Sequence, residues 1–105
     1  MKHNLRVERD RLCAPLRDIK NLGPDLLARL EPFRLSMQNG TLGLANSVFS
    51  IFIPATGEWG KTLSVRAADL LDAVDCMAQI STISIETSGN QLLIGGAAVD
   101  YEIAE

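Results

Sequence analysis

Five apolar positions recur along this chain at one fixed offset. Leu5, Val7, Leu12, Leu16 and Ile19 return 58 residues later as Leu63, Val65, Leu70, Val74 and Met77. In each set the first two alternate with polar neighbours, as a strand requires, and the last three share one helix face. Leu35 and Met37, Leu42 and Leu44, then Phe49, Ile51 and Ile53 continue the first set as three alternating segments. Ile83 and Ile85, Leu92 and Ile94, then Val99, Tyr101 and Ile103 continue the second. Asn39-Gly40, Gly89-Asn90 and Gly95-Gly96 mark the turns. Pro15 falls early in the first helix, where a missing N–H costs least, and Gly23-Pro24 closes it, with DLLARL as an extra helical turn. Pro54 ends a strand, ATGEWG reads as a loop, and AADLLDAVDCMA reads as the second helix.

The expected architecture is therefore α+β in a single domain of two βαβββ repeats. Repeat one covers about residues 1–55, a loop 56–61, and repeat two 62–105. A repeated unit that cannot bury its own apolar face needs its neighbour. The two helices are expected side by side on antiparallel sheets built from eight strands.

Length and composition narrow the function classes. At 105 residues and 47% hydrophobic content the chain can bury a core without metal or disulfide staples. Its longest apolar run, VFSIFI, is far short of the ~20 residues a membrane helix needs. The opening MKHNLRVERDRL lacks the apolar run of a secretory signal, so a cytoplasmic location with Cys13 and Cys76 reduced is expected. Charge is uneven: residues 1–34 carry eight basic and five acidic side chains, and residues 35–105 carry two and eight. Only the first third offers the clustered positive charge that phosphate neutralisation demands.

The order and spacing of these segments resemble a single domain of the bacterial DNA sliding clamp, the polymerase III beta subunit. MK…VERDRLCAPLRDI resembles that family's first-domain start, FRLSMQNGTLGLANS its first hairpin, and KTLSVRAADLLDAVDCM with ISIETSGNQLLIGGAAVDYEIA its second half. The likeness spans essentially the whole chain and lies in the overall pattern. It implies the processivity-clamp fold and a non-enzymatic role in DNA replication or repair, through self-assembly and protein contacts. A clamp protomer has three such domains and this chain has one. The loop after the first helix, GPDLLAR, carries only Arg29 where the family tends to place Gly and Arg near DNA.

Candidate chemistry is sparse. Ala55-Thr-Gly-Glu-Trp-Gly60-Lys61-Thr62 satisfies a relaxed phosphate-loop pattern with Ala for the first Gly, yet Thr62 leads into strand-like LSVR rather than a helix. Glu58 would also repel a phosphate. A small nucleotide-binding protein is thus a third and weakest reading, and no cofactor is expected. His3 is expected as a solvent-facing strand residue, without a nucleophile at triad spacing. Cys13 and Cys76 lack zinc spacing and read as buried or half-buried inert thiols; Asp69, Asp72 and Asp75 read as a solvated helix face.

Opposite the apolar stripes, the outward faces hold Asp10, Ala14, Arg17, Asp18 and Asn21 on one helix and Ala68, Asp72, Asp75, Cys76 and Gln79 on the other, a net charge of −3. The residues available to duplex DNA are Arg9, Arg11, Arg17, Lys20, Arg29 and Arg66, and weak DNA binding is expected. Self-association as a dimer or a ring-like oligomer is expected through sheet edges around Val48–Ile53 and Val99–Ile103, with Val48, Ser50, Phe52, Asp100 and Glu102 as edge residues. The alternative function is a diverged protein-interaction module that keeps the clamp fold but does not encircle DNA.

Overall fold

A computed structural model describes residues 3–77 and 79–104. Met1 and Lys2, part of the clamp-like opening, and Ala78, expected in the second helix, lie outside the described residues. Strand β1 (Asn4–Glu8) points Leu5 and Val7 inward and runs directly into helix α1 (Arg9–Lys20). Glu8 stays extended at the N-cap without a side-chain cap bond, and the Arg9 N–H donates to the Ser81 carbonyl at 2.9 Å. Leu12, Cys13, Leu16 and Ile19 form the buried stripe of α1. Because α1 begins at Arg9, Pro15 is its seventh residue and not an N-terminal one. The helix forgoes one interior hydrogen bond there, and burial of its apolar stripe holds it. Gly23, at φ 116°, leads into the single turn α2 (Pro24–Leu27).

Strands β2 (Phe33–Gln38) and β3 (Thr41–Ala45) form a hairpin over Asn39-Gly40. Both turn residues have positive φ, 52° and 77°, which a type I′ turn requires. β4 (Ser50–Glu58) follows and is longer than expected. Residues 56–58 of the expected loop are strand, paired with β1 from Ala55↔Val7 to Glu58↔Asn4. β5 (Leu63–Val65), α3 (Ala67–Cys76), β6 (Thr82–Ser88), β7 (Gln91–Ile94), β8 (Ala97–Asp100) and β9 (Glu102–Ile103) complete the chain.

All nine strands belong to one antiparallel sheet in the order β8-β7-β6-β1-β4-β3-β2-β5-β9. Its two end strands, β8 and β9, are separated in sequence by Tyr101 alone. The sheet must therefore curl until its ends almost meet, giving a nearly closed barrel. This overturns the expected clamp-type fold of two βαβββ repeats on separate sheets of eight strands. The reason lies in β1 and β5. β1 bonds to β4 on one side and β6 on the other, and β5 bonds to β2 and β9. The four strands of the first half thus form one block within a single sheet, flanked on both sides by strands of the second half. Period-2 patterning fixes which face a strand buries but not which strand lies beside it.

Phe33, Leu35, Leu42, Leu44, Leu63, Ile83, Ile85 and Leu92 from the sheet pack with Leu12, Leu16 and Leu70 from the helices in a single core. The two longer helices touch where the Cys13 thiol reaches Met77 Sδ at 3.5 Å. α1 rests on β1 and β4, and α3 on β8. His3, expected to face solvent, is buried: its Nε2 lies 3.0 Å from the Lys61 carbonyl and its ring meets Trp59 edge-on at 4.6 Å. Trp59 Nε1–H in turn donates to the Leu35 carbonyl at 3.2 Å. Only folding brings His3 beside a loop more than fifty positions away.

Candidate functional site

Among the described residues the sheet leaves backbone groups without a strand partner along the first part of β4 and at its end strands, and hydrogen-bond parity identifies them. On β4 the pairing to β3 covers Ser50–Pro54, whereas pairing to β1 covers residues 55–58. The Asn46 N–H donates to the Phe49 carbonyl and the Ala55 N–H to the Gly40 carbonyl, both at 2.9 Å. Bonded and non-bonded pairs alternate in an antiparallel ladder. Leu44↔Ile51 and Leu42↔Ile53 are therefore the bonded pairs, and Ser50 and Phe52 turn their N–H and C=O groups away from β3. Pro54 ends the run with no N–H.

Side chains make this edge apolar. Val48 is 58% and Phe52 70% exposed. A Cβ at Gly43 would meet the Phe52 ring at 3.4 Å, so the ring lies across its cross-strand partner on the outer sheet face. Asn46 fixes the approach to the edge: its side-chain oxygen accepts from the N–H groups of Val48 and Phe49 at 2.9 and 2.8 Å.

The second edge is β8, whose pairing among the described residues is to β7. Gly95 and Gly96 form its two-residue turn, with φ of 58° and 89°. Such a turn makes Ile94↔Ala97 a bonded pair, which leaves Ala98 and Asp100 facing outward. The expected continuous edge Val99–Ile103 does not exist. Tyr101 breaks it, and Glu102 pairs with Ser64 on β5 at the opposite end of the sheet. A groove of about 270 Å³ separates β8 from α3, with Asp69, Asp72 and Asp100 on its walls.

No protein-family model matches the chain, and no curated protein matches it.

The cations expected to face DNA are dispersed. The Arg9 guanidinium is buried, its Nη1 lies 3.4 Å from Asp10 Oδ1, and its Nε and Nη2 have no hydrogen-bond partner among the described residues. Arg11 Nε donates to Glu8 at 2.7 Å. Lys20 spans the two helices, bonding Asp75 and lying 3.9 Å from Asp72. Arg17, Arg29 and Arg66 are exposed on α1, after α2 and before α3. The residues expected on the outward helix faces, Asp10, Ala14, Arg17, Asp18, Asn21, Ala68, Asp72, Asp75, Cys76 and Gln79, are all exposed, although Asn21 caps α1 and Gln79 lies beyond the end of α3. Arg9 was misplaced because the first helix position also lies on the α1 stripe, three residues before Leu12 and seven before Leu16.

The Lys20 bond holds the Asp75 carboxyl below its ordinary range, and the Asp75 bond in turn raises Lys20. A depressed carboxylate stabilises the fold above its unfolded pKa and loses that contribution as pH falls through its folded pKa. Lys20→Met should return Asp75 to the ordinary range in an NMR titration. An unmoved titration curve would show that the inter-helix pair does not persist in solution.

The relaxed phosphate-loop motif has no phosphate cradle. Gly57 lies opposite Leu5 within the β1–β4 ladder, and Thr62 precedes β5 rather than a helix. Cys13 is buried, where desolvation raises its thiol pKa, whereas Cys76 is exposed, against the expectation of a buried or half-buried thiol. Its place near the C-terminal end of α3, facing the β8 groove, explains the difference. Among the described residues no three His, Cys, Asp or Glu side chains gather where a metal ion could be held, and no helix is long and apolar enough to cross a membrane.

Proposed function

We propose that this chain is a non-catalytic association domain that joins a second copy of itself through the β4 edge. The observation that carries this reading is the conjunction of outward backbone groups at Ser50 and Phe52 with the exposed Phe52 ring. An open, apolar, uncharged edge favours addition of another strand. Two like edges paired antiparallel close as a twofold dimer, and pairing unlike edges extends toward a ring. Within DNA replication or repair, where the sequence resemblance points, such a domain acts through protein contacts.

Sedimentation should give a mass of at least about twice 11.4 kDa at micromolar concentration. Phe52→Lys should reduce it to that of one chain, because it sets like charges beside each other at the pairing site. A single-chain mass for the unaltered protein at high micromolar concentration would refute self-association. An unchanged assembly in Phe52→Lys would place the contact elsewhere.

The acidic outward helix surface favours the reading in which DNA is not encircled. Asp72 and Asp75 are exposed, and the nearest cation, Lys20, is bound to them. Duplex affinity should be no tighter than the ~10⁻⁴–10⁻⁶ M of non-specific binders at physiological salt. Asp72→Lys with Asp75→Lys should strengthen it and steepen its salt dependence. Sub-micromolar binding by the unaltered chain would contradict this assignment.

A further inference from the structure

The donors and acceptors along the β4 edge complement themselves fully in a single alignment. Resting on the self-association proposed above, we infer that two copies pair antiparallel about a twofold axis at Ile51, so that Ser50 of each chain faces Phe52 of the other. Ser50 and Phe52 turn both their N–H and C=O groups outward, because Leu44↔Ile51 and Leu42↔Ile53 are the pairs bonded to β3. In this alignment Ser50 and Phe52 exchange both hydrogen bonds, and the axis repeats the exchange. No outward group of either residue is left over. Ile51 meets its counterpart as a non-bonded pair, at a Cα separation of about 4.5 Å.

The neighbouring alignments fail on named residues. Sliding one strand by two positions keeps every side chain on its face and carries the axis to Phe52 or to Ser50. With the axis at Phe52, Ser50 falls opposite Pro54, which has no N–H, so the Ser50 carbonyl is unpaired. With the axis at Ser50, Phe52 falls opposite Val48. The Val48 N–H already donates to the Asn46 side-chain oxygen at 2.9 Å, so the Phe52 carbonyl is unpaired. A backbone group left unpaired in an interface costs as much as a lost hydrogen bond. Asn46 and Pro54 thus set the alignment from the two ends of the edge. In the favoured alignment the added strand ends at Phe49, where the Asn46 turn carries the chain back to β3, so it stops short of Glu8 at the end of β1. The Phe52 ring lies across Gly43, on the β3 side, and leaves the outward backbone clear. Because the axis uses the outward groups of both chains, the assembly closes at two copies.

The test uses the full chain with its exposed native thiol removed by Cys76→Ser, and adds Ser50→Cys, Ile51→Cys or Phe52→Cys singly. Oxidised glutathione is the oxidant, taking up two electrons and two protons as two thiols become one disulfide. Ile51→Cys should form a covalent dimer at least about tenfold faster than either other variant alone, since a non-bonded pair holds its Cβ atoms near disulfide reach. Mixing Ser50→Cys chains with Phe52→Cys chains should give the mixed dimer in preference to either self-dimer. Ser50→Pro reads the backbone directly. The Ser50 N–H takes no part in the β3 ladder, so the fold is retained, and self-association should weaken at least about tenfold. Equal or faster cross-linking through Ser50→Cys or Phe52→Cys alone would overturn the alignment while self-association stands. So would undiminished association of Ser50→Pro. A single-chain mass for the unaltered protein would overturn both.

Discussion

Replacing Gly57 with alanine should cost at least about 3 kcal/mol of stability, a large part of the ~5–15 kcal/mol that holds a domain folded. Gly57 has φ 127°, a conformation that side chains rarely adopt, and it lies directly opposite Leu5 in the β1–β4 ladder. A Cβ there would fall inside the van der Waals envelope of the Asn4 carbonyl oxygen. That neighbour is backbone and cannot rotate aside. The β1–β4 ladder is also the junction between β8-β7-β6-β1 and β4-β3-β2-β5-β9. Displacing β1 therefore opens the barrel in its middle. Gly96→Ala provides the control: Gly96 is also left-handed, at φ 89°, but nothing lies within 4 Å of its missing Cβ. That change should cost only about 1–2 kcal/mol. Thermal denaturation of both variants would check the pair, and equal losses would show that backbone strain alone, not the Asn4 contact, matters at Gly57.

Arg9→Met should have the opposite sign. A buried guanidinium whose Nε and Nη2 have no partner among the described residues keeps its desolvation cost while its Nη1 makes one long contact with the exposed Asp10. Methionine fills a similar volume without a charge, and such replacements often stabilise by about 1–4 kcal/mol. The melting temperature should rise on the order of 5–15 °C. A lower melting temperature would show that the guanidinium finds strong partners in solution. Arg9→Ala separates charge from packing, because it removes both and should fall below Arg9→Met.

The candidate site was legible only in part, and particular residues show why. VFSIFI stood out as an apolar segment with Phe52 facing away from the core, and Phe52 is exposed. The acidity of Asp69, Asp72 and Asp100 was readable too, but not that a groove gathers them, since they lie on a helix and a strand far apart in sequence. Arg9 and His3 were both misjudged as solvent-facing. Both are polar in type, but Arg9 occupies the first position of the buried α1 stripe, and His3 is buried against Trp59, far away in the chain.

By itself the sequence determined the local facts: the buried faces of β1, α1 and α3, the Asn39-Gly40 hairpin, and the apolar character of the 48–53 segment. These follow from periodicity and turn chemistry, which act over a few residues. Only the tertiary structure decided strand neighbours, and with them the single nine-stranded sheet, its near closure at Tyr101 and the open β4 edge. An antiparallel strand offers equivalent backbone donors and acceptors on both sides. Which strand takes each side is settled by how the whole chain packs its core, and no local pattern encodes that choice.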